Sequence, residues 1–202
     1  MPTDTEEEQL VGVLSEIDPV VAVGRPGERL PELGATREYI GEDWQQYVIQ
    51  LMGRARLVVV RAGATPGVTW ELSEAGTRVS PDRLVLLVPF DRKRYDRFCA
   101  DLLPLLKWAL PEYTPGKEQC GSLTGVVYFS GTGKGHFEGF RHPGLRLRLA
   151  RPAQPCLKIA FRPVFEGLGV RWRALPVNPL AYVLAAGLVG LFVVCIGLAL
   201  RN

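Results

Sequence analysis

LVVVRAGATPGVTWELSEA, residues 57–75, contains the pattern of a strand, a short turn and a helix. Its first part is a continuous run of apolar, mostly β-branched residues, which is typical of a strand buried on both faces. A second run of this kind, RLVLLVPF, follows at residues 83–90. Apolar strands that alternate with helices are typical of a parallel sheet covered by helices. The stretch therefore predicts a strand–helix–strand unit within an α/β domain.

The same alternation extends to both sides of this unit. VVAVG at 20–24 and GVVYFSG at 125–131 predict further strands. No strand is predicted before the first helix, so the opening strand of such a sheet is expected to be missing. Long loops are predicted for residues 25–43 and for the Gly-rich stretch at 131–140, and LRLRLA at 145–150 suggests an extra strand. Helical spacing of apolar residues predicts helices at 6–17, 44–55, 91–110 and 156–170, the third interrupted at Pro104 and the last at Pro163.

The C-terminal part of the chain differs from the rest in composition. Residues 179–200, PLAYVLAAGLVGLFVVCIGLAL, contain no charged side chain and are long enough to cross a bilayer as one helix. We therefore predict a folded domain at 1–173, a linker at 174–178 and a single-pass tail anchor at 179–200. Arg171 and Arg173 precede the span and only Arg201 follows it, so the positive-inside rule places the N-terminal domain in the cytoplasm.

Overall charge and cysteine spacing argue against several classes of protein. The formal net charge of +3 comes from 24 basic and 21 acidic residues, a balance that does not favour a nucleic-acid partner. The four cysteines are far apart and form no CxxC pair, so neither a disulfide framework nor a metal site is predicted. GTGKG at 131–135 is not a P-loop, because Tyr128 stands where the first Gly should be and Gly135 replaces the Ser or Thr. His136 and His142 are interpreted as ordinary loop residues.

The turn after the strand at 57–62 contains the residues that best fit a ligand site. Open α/β sheets bind ligands beyond the carboxyl ends of their strands. Trp70, Glu71 and Glu74 are expected in the first turn of the following helix, where the helix dipole also favours acids. Three arginines, Arg25, Arg29 and Arg61, are expected at or near strand ends, where they could meet a phosphate group. Gly63, in the exit turn, completes the set of candidate binding residues.

Together with AVGRPGERLPELGA at 22–35, the segment ARLVVVRAGATPGVTWEL at 55–72 resembles two related groups of proteins. One is the bacterial Toll/interleukin-1 receptor (TIR)-like group, in which a Trp stands four residues before a Glu, as Trp70 and Glu74 do. The other is the group of nucleoside deoxyribosyltransferase-like folds, in which the acid directly follows an aromatic residue, as Glu71 does. The resemblance implies a flavodoxin- and TIR-like fold with a mostly parallel sheet and helices on both faces.

The resemblance also implies a function at the N-glycosidic bond of NAD or a nucleoside. Glu71 or Glu74 would be the catalytic acid, while Trp70, Arg25, Arg61 and Gly63 would contact the ligand, with no separate cofactor. We first expect a membrane-tethered TIR-like signalling or interaction domain that binds NAD or another nucleotide and forms a homo-oligomer. The alternatives are an N-glycosidase, such as an NAD glycohydrolase, and a non-catalytic membrane scaffold; the sequence leaves all three open.

Overall fold

The computed structural model describes residues 5–24, 36–39, 44–141 and 153–173 of the chain. The chain divides after Trp172 into two units, and apart from Arg173 all described residues lie in the first. The described strands are β1 (Val21–Gly24), β2 (Thr36–Tyr39), β3 (Val58–Arg61), β4 (Leu84–Val88), β5 (Gly125–Phe129) and β6 (Gly135–Gly139). The described helices are α1 (Glu6–Leu14), α2 (Trp44–Arg54), α3 (Pro66–Arg78), α4 (Arg92–Leu102), α5 (Ala153–Ala160) and α6 (Arg162–Gly167).

Four of the strands form one mixed sheet in the order β3-β4-β5-β6. β3 and β4 are parallel and are joined by α3, whereas β4–β5 and β5–β6 are antiparallel pairs. β1 and β2 form a separate two-stranded parallel sheet. The α/β class predicted from the sequence is confirmed, but the larger sheet is mixed and not mostly parallel.

Two described strands were predicted as loops. β2 lies inside the stretch 25–43, and β6 lies inside the Gly-rich stretch 131–140. β6 pairs with β5 as a hairpin in which Phe129 is opposite Gly135. At Gly139 a Cβ would overlap the backbone of Gly116, so glycine allows the preceding loop to approach this strand closely.

β4 is buried on both faces of the sheet, which explains its continuous apolar sequence. Leu84, Leu86 and Val88 pack in a core with residues of α2, α3 and α4. Val85 and Leu87 pack in a second core on the other face, with residues of α1, α5 and α6. The predicted arrangement of helices on both faces is therefore present in the four-stranded sheet.

Side-chain caps fix where α1 and α4 begin. Thr5 and Glu8 form a capping box at α1, and Asp91 accepts a hydrogen bond from the Arg94 backbone N–H at the start of α4. The helix predicted over 91–110 ends at Leu102, before Pro104. The helix predicted at the end of the domain is divided at Phe161, next to the α6 segment that contains Pro163.

Within the described ranges, no helix is both long enough and apolar enough to span a bilayer. The predicted linker at 174–178 and the predicted span at 179–200 lie outside those ranges, as do Arg25, Arg29, His142 and the segment 145–150. These remain predictions from the sequence.

The Leu86→Ala substitution should strongly destabilise the domain. Leu86 is fully buried between β3, β5 and the helices of the first core, so its removal leaves a cavity that costs about 2–5 kcal/mol. Leu103→Ala is the matched control, because Leu103 is 70% exposed and its loss should change stability by less than about 0.5 kcal/mol. Urea-induced unfolding measures both values, and equal midpoints for the two variants would contradict the described core.

Candidate functional site

The carboxyl ends of β3 and β4 meet at one edge of the sheet, which we call the carboxyl edge. It is formed by Arg61, Gly63, Thr65 and Val88. The Ala62 backbone N–H donates to the Leu87 carbonyl at 2.9 Å, which holds the two strands together to their ends. Thr65 then caps α3 by accepting a hydrogen bond from the Val68 N–H, and Pro66 occupies the first helical position. The start of α3 is therefore fixed beside the end of β3.

Arg61 is held in place by a small polar cluster at this edge. Its guanidinium donates to Glu6 Oε1 at 3.0 Å and to Ser122 Oγ at 2.6 Å. The Ser122 backbone N–H donates in turn to Glu6 Oε2 at 2.7 Å. The Arg61 side chain nevertheless remains 45% exposed, against 19% for Glu6. The cluster orients the guanidinium and offsets part of its charge, while one side stays open to solvent.

Gly121 allows Glu6 to reach this cluster. Its φ of +60° lies in the left-handed region that favours glycine, and a Cβ there would overlap Glu6 Oε2. The adjacent turn is closed by a pair of backbone hydrogen bonds between Cys120 and Leu123. A side chain at position 121 would therefore displace the Glu6 carboxylate from Ser122.

Gly63 has no such steric requirement within the described residues. A Cβ at this position would lie 3.6 Å from Val68 Cγ2, an ordinary van der Waals contact. The structure thus leaves room for a methyl group where the sequence suggested close approach of a ligand.

Trp70 lies on α3 and contacts α2. Its ring packs edge-on against Trp44, with centroids 4.8 Å apart and an interplanar angle of 71°. It is half-buried at the margin of the first core. This contact gives Trp70 a structural role in joining α2 to α3.

The prediction that Trp70, Glu71 and Glu74 lie in the first turn of α3 is wrong. The helix already begins at Pro66, and its first turn contains no acidic residue. With a rise of 1.5 Å per residue, Glu71 lies about 8 Å and Glu74 about 12 Å along the axis from Pro66. The effect of the helix dipole is confined to the first turn, so it does not explain either acid.

The two acids are both half-buried but lie at different distances from the carboxyl edge. Glu74 Oε2 accepts a hydrogen bond from Arg78 Nε at 2.6 Å, within an i,i+4 ion pair along the helix. Glu71 lies nearer to the carboxyl edge and directly follows Trp70. Glu71 is therefore the better placed of the two for a ligand bound at that edge.

A hollow of about 510 Å³ lies beside the loop that precedes β5. None of the described candidate residues lines it. Thr124 places it near the end of β4, because its hydroxyl donates to the carbonyls of Val88 and Phe90. Its lining residues are Tyr113, Pro115, Gly116, Lys117, Glu118, Gln119 and Thr124.

The described histidine packs against an aromatic ring, and the described cysteines are free thiols. His136, predicted in a loop, lies in β6 and stacks on Tyr128 with ring centroids 5.1 Å apart. Cys99, Cys120 and Cys156 are free thiols. Burial, followed by the nearby Cys156 and Glu6, raises the pKa of the Cys120 thiol to about 12, so it remains protonated and unreactive near neutral pH. In the part of the chain that the structure describes, no three His, Cys, Asp or Glu side chains are grouped to hold a metal ion.

Comparisons of the chain with protein-family models, curated proteins and solved structures found no match. The TIR-like resemblance therefore rests on the motifs in the sequence. The contribution of the structure is the geometry of the carboxyl edge, including two residues, Glu6 and Ser122, that sequence reasoning missed.

The Gly121→Ala substitution tests the polar cluster. The left-handed backbone and the displacement of Glu6 should together lower stability by at least about 1–2 kcal/mol. Gly131→Ala is the control, since a Cβ at position 131 meets nothing within 4 Å and should cost less than about 0.5 kcal/mol. Thermal or urea unfolding gives both values, and an unaffected Gly121→Ala protein would show that the cluster contributes nothing to the fold.

Proposed function

We propose that this chain is a membrane-tethered, TIR-like signalling or interaction domain that binds a nucleotide at the carboxyl edge and self-associates. The observation that carries the proposal is the parallel β3–α3–β4 unit, which brings an oriented arginine and a capped helix start to one edge of the sheet. That edge is where ligands bind in open α/β sheets.

The chemistry of this edge suits the phosphate groups of a nucleotide. Backbone N–H groups in the first turn of a helix have no partner within the helix and attract anions. The planar guanidinium of an arginine binds phosphate through two parallel hydrogen bonds. Arg61 is already oriented by Glu6 and Ser122, so little side-chain entropy is lost when it binds. A phosphate would share or replace the contact with Glu6.

Self-association is supported by the predicted span at 179–200. A tether confines copies of a domain to one surface, which raises their effective concentration without any new contact. Ala186, Gly187, Gly190 and Gly197 offer small side chains at which two such helices could approach each other.

The Gly63→Ala substitution separates ligand binding from folding. The added methyl group fits beside Val68, so stability should stay within about 0.5 kcal/mol of the unmodified protein. The same methyl group would occupy space beside a bound phosphate, so NAD should bind about tenfold more weakly, a loss of roughly 1.4 kcal/mol. Calorimetry with the detergent-solubilised full chain measures the affinity for NAD.

Gly53→Ala, on α2, is the matched control, because a Cβ there meets nothing within 4 Å. Its affinity for NAD should equal that of the unmodified chain. Equal affinities for the Gly63→Ala and Gly53→Ala variants would contradict a site at the carboxyl edge. Sedimentation of the full chain over a range of concentrations tests self-association, and a monomer throughout, with and without NAD, would contradict that part of the proposal.

The position of Glu71 favours N-glycosidase activity as a second candidate function. Glu71 is half-buried, follows Trp70 directly and lies nearer to the carboxyl edge than Glu74 does. Cleavage of an N-glycosidic bond passes through a transition state that resembles an oxocarbenium ion, which a carboxylate can stabilise or attack.

Under this second function, incubation of the full chain with NAD should release free nicotinamide. Glu71→Gln should slow the release by about 100-fold or more, because the amide lacks the charge that stabilises the transition state. Glu74→Gln is the matched control and should retain activity, since Glu74 lies about 4.5 Å farther along the helix axis from the carboxyl edge. Chromatography of the reaction products measures the rate, and the reverse ranking would assign the acid to Glu74. Intact NAD after incubation with assembled protein would exclude the N-glycosidase function. If NAD also failed to bind, the non-catalytic membrane scaffold would remain as the interpretation.

A further inference from the structure

The last described part of the first unit is fixed to the domain up to Trp172. The Val170 backbone N–H donates to the Phe165 carbonyl at 2.9 Å, which closes the turn after α6. The Trp172 indole N–H donates to the Lys158 carbonyl at 3.1 Å. The Arg162 guanidinium lies over the same ring, 5.2 Å from its centroid. The chain therefore leaves the domain from a defined point.

Exposed arginines surround this point. Arg56 donates to the Leu168 carbonyl at 3.0 Å, which joins the end of α2 to the turn after α6. We call the surface formed by Arg54, Arg56, Arg162 and Arg171 the exit surface; all four side chains are exposed. Because Arg54 and Arg56 directly precede β3, the exit surface lies at the amino end of that strand.

Positive charge exceeds negative charge on the exit surface. Glu166 pairs with Arg162 at 2.8 Å. Asp82 is brought near by its neighbour Arg83, which donates to the carbonyls of Met52 and Ala55. Among these described residues, Arg83 and the four arginines of the exit surface outnumber the two acids, Glu166 and Asp82.

Few residues separate the exit surface from the predicted span. Residues 173–178 separate Trp172 from the first residue of the span, and six residues reach at most about 20 Å when fully extended. A domain on such a tether stays close to the bilayer, where anionic lipids attract basic residues within about one Debye length, roughly 8 Å.

We propose that the exit surface binds the anionic headgroups of phospholipids in the membrane that the span enters. This inference rests on the tether in the proposed function. The headgroup phosphates carry the charge opposite to that of the guanidinium groups. Arg61 lies at the opposite end of β3, so this contact leaves the carboxyl edge free for a soluble ligand and for other copies of the chain.

Tryptophan quenching in vesicles tests the contact directly. The full chain is reconstituted into phosphatidylcholine vesicles with and without phosphatidylserine, each containing a lipid with a nitroxide on its headgroup. Quenching should be stronger with phosphatidylserine and should decrease as salt is added, because the attraction is electrostatic. The difference should disappear in a Trp172→Phe variant, which identifies Trp172 as the quenched residue.

The combined Arg54→Gln and Arg171→Gln variant should weaken the contact by about fivefold for each arginine removed. Both side chains are exposed, so the fold should be retained. Lys93→Gln with Arg94→Gln is the matched control, because these exposed residues lie in the first turn of α4, beside the carboxyl end of β4. The control variant should be quenched like the unmodified chain.

Two negative results can be distinguished. If the chain stays with the vesicles after an alkaline wash but is quenched equally in neutral and anionic vesicles, the proposed contact is overturned and the tether stands. Equal quenching of the arginine variant and its control would also overturn the proposed contact and leave the tether standing. If the alkaline wash removes the chain, the tether itself is overturned, and the inference is overturned with it.

Discussion

Burial of β4 on both faces is the constraint on which the rest of the described fold depends. All five of its side chains are buried, so each face of the strand must be covered by helices. The first core uses α2, α3 and α4, and the second uses α1, α5 and α6. A sheet covered in this way presents accessible side chains mainly at the ends of its strands. Polar chemistry in this domain is consequently concentrated at the two ends of β3 and β4.

The sequence predicted those elements whose own residues determine them. β3, β4 and α3 follow from continuous apolar runs, a turn and helical spacing. β2 (TREY) and β6 (GHFEG) have no apolar run, and pairing with a neighbouring strand makes them strands. The antiparallel direction of β5 was missed for a different reason, because an apolar run is compatible with either strand direction.

The candidate site was predictable in part. Arg61 and Gly63 were found because they follow a recognisable strand. Glu6 and Ser122 were missed because their contact joins residues 116 positions apart, which no local pattern indicates. The displacement of Glu71 from the helix start was predictable, since Thr65 followed by Pro66 is the usual signature of an N-cap and first helical residue.

The two ends of β3 differ in how their arginines are compensated, and this difference matches the two proposed roles. Arg61 is oriented by Glu6 and Ser122, which lowers the entropy lost on binding one ligand and also weakens its long-range attraction. The exit surface has more arginines than acids, and all four arginines are exposed. Exposed charges in excess suit a surface of many mobile headgroups, since such attraction needs proximity rather than fixed geometry. An oriented, partly neutralised arginine suits a single phosphate, whose affinity depends on geometry.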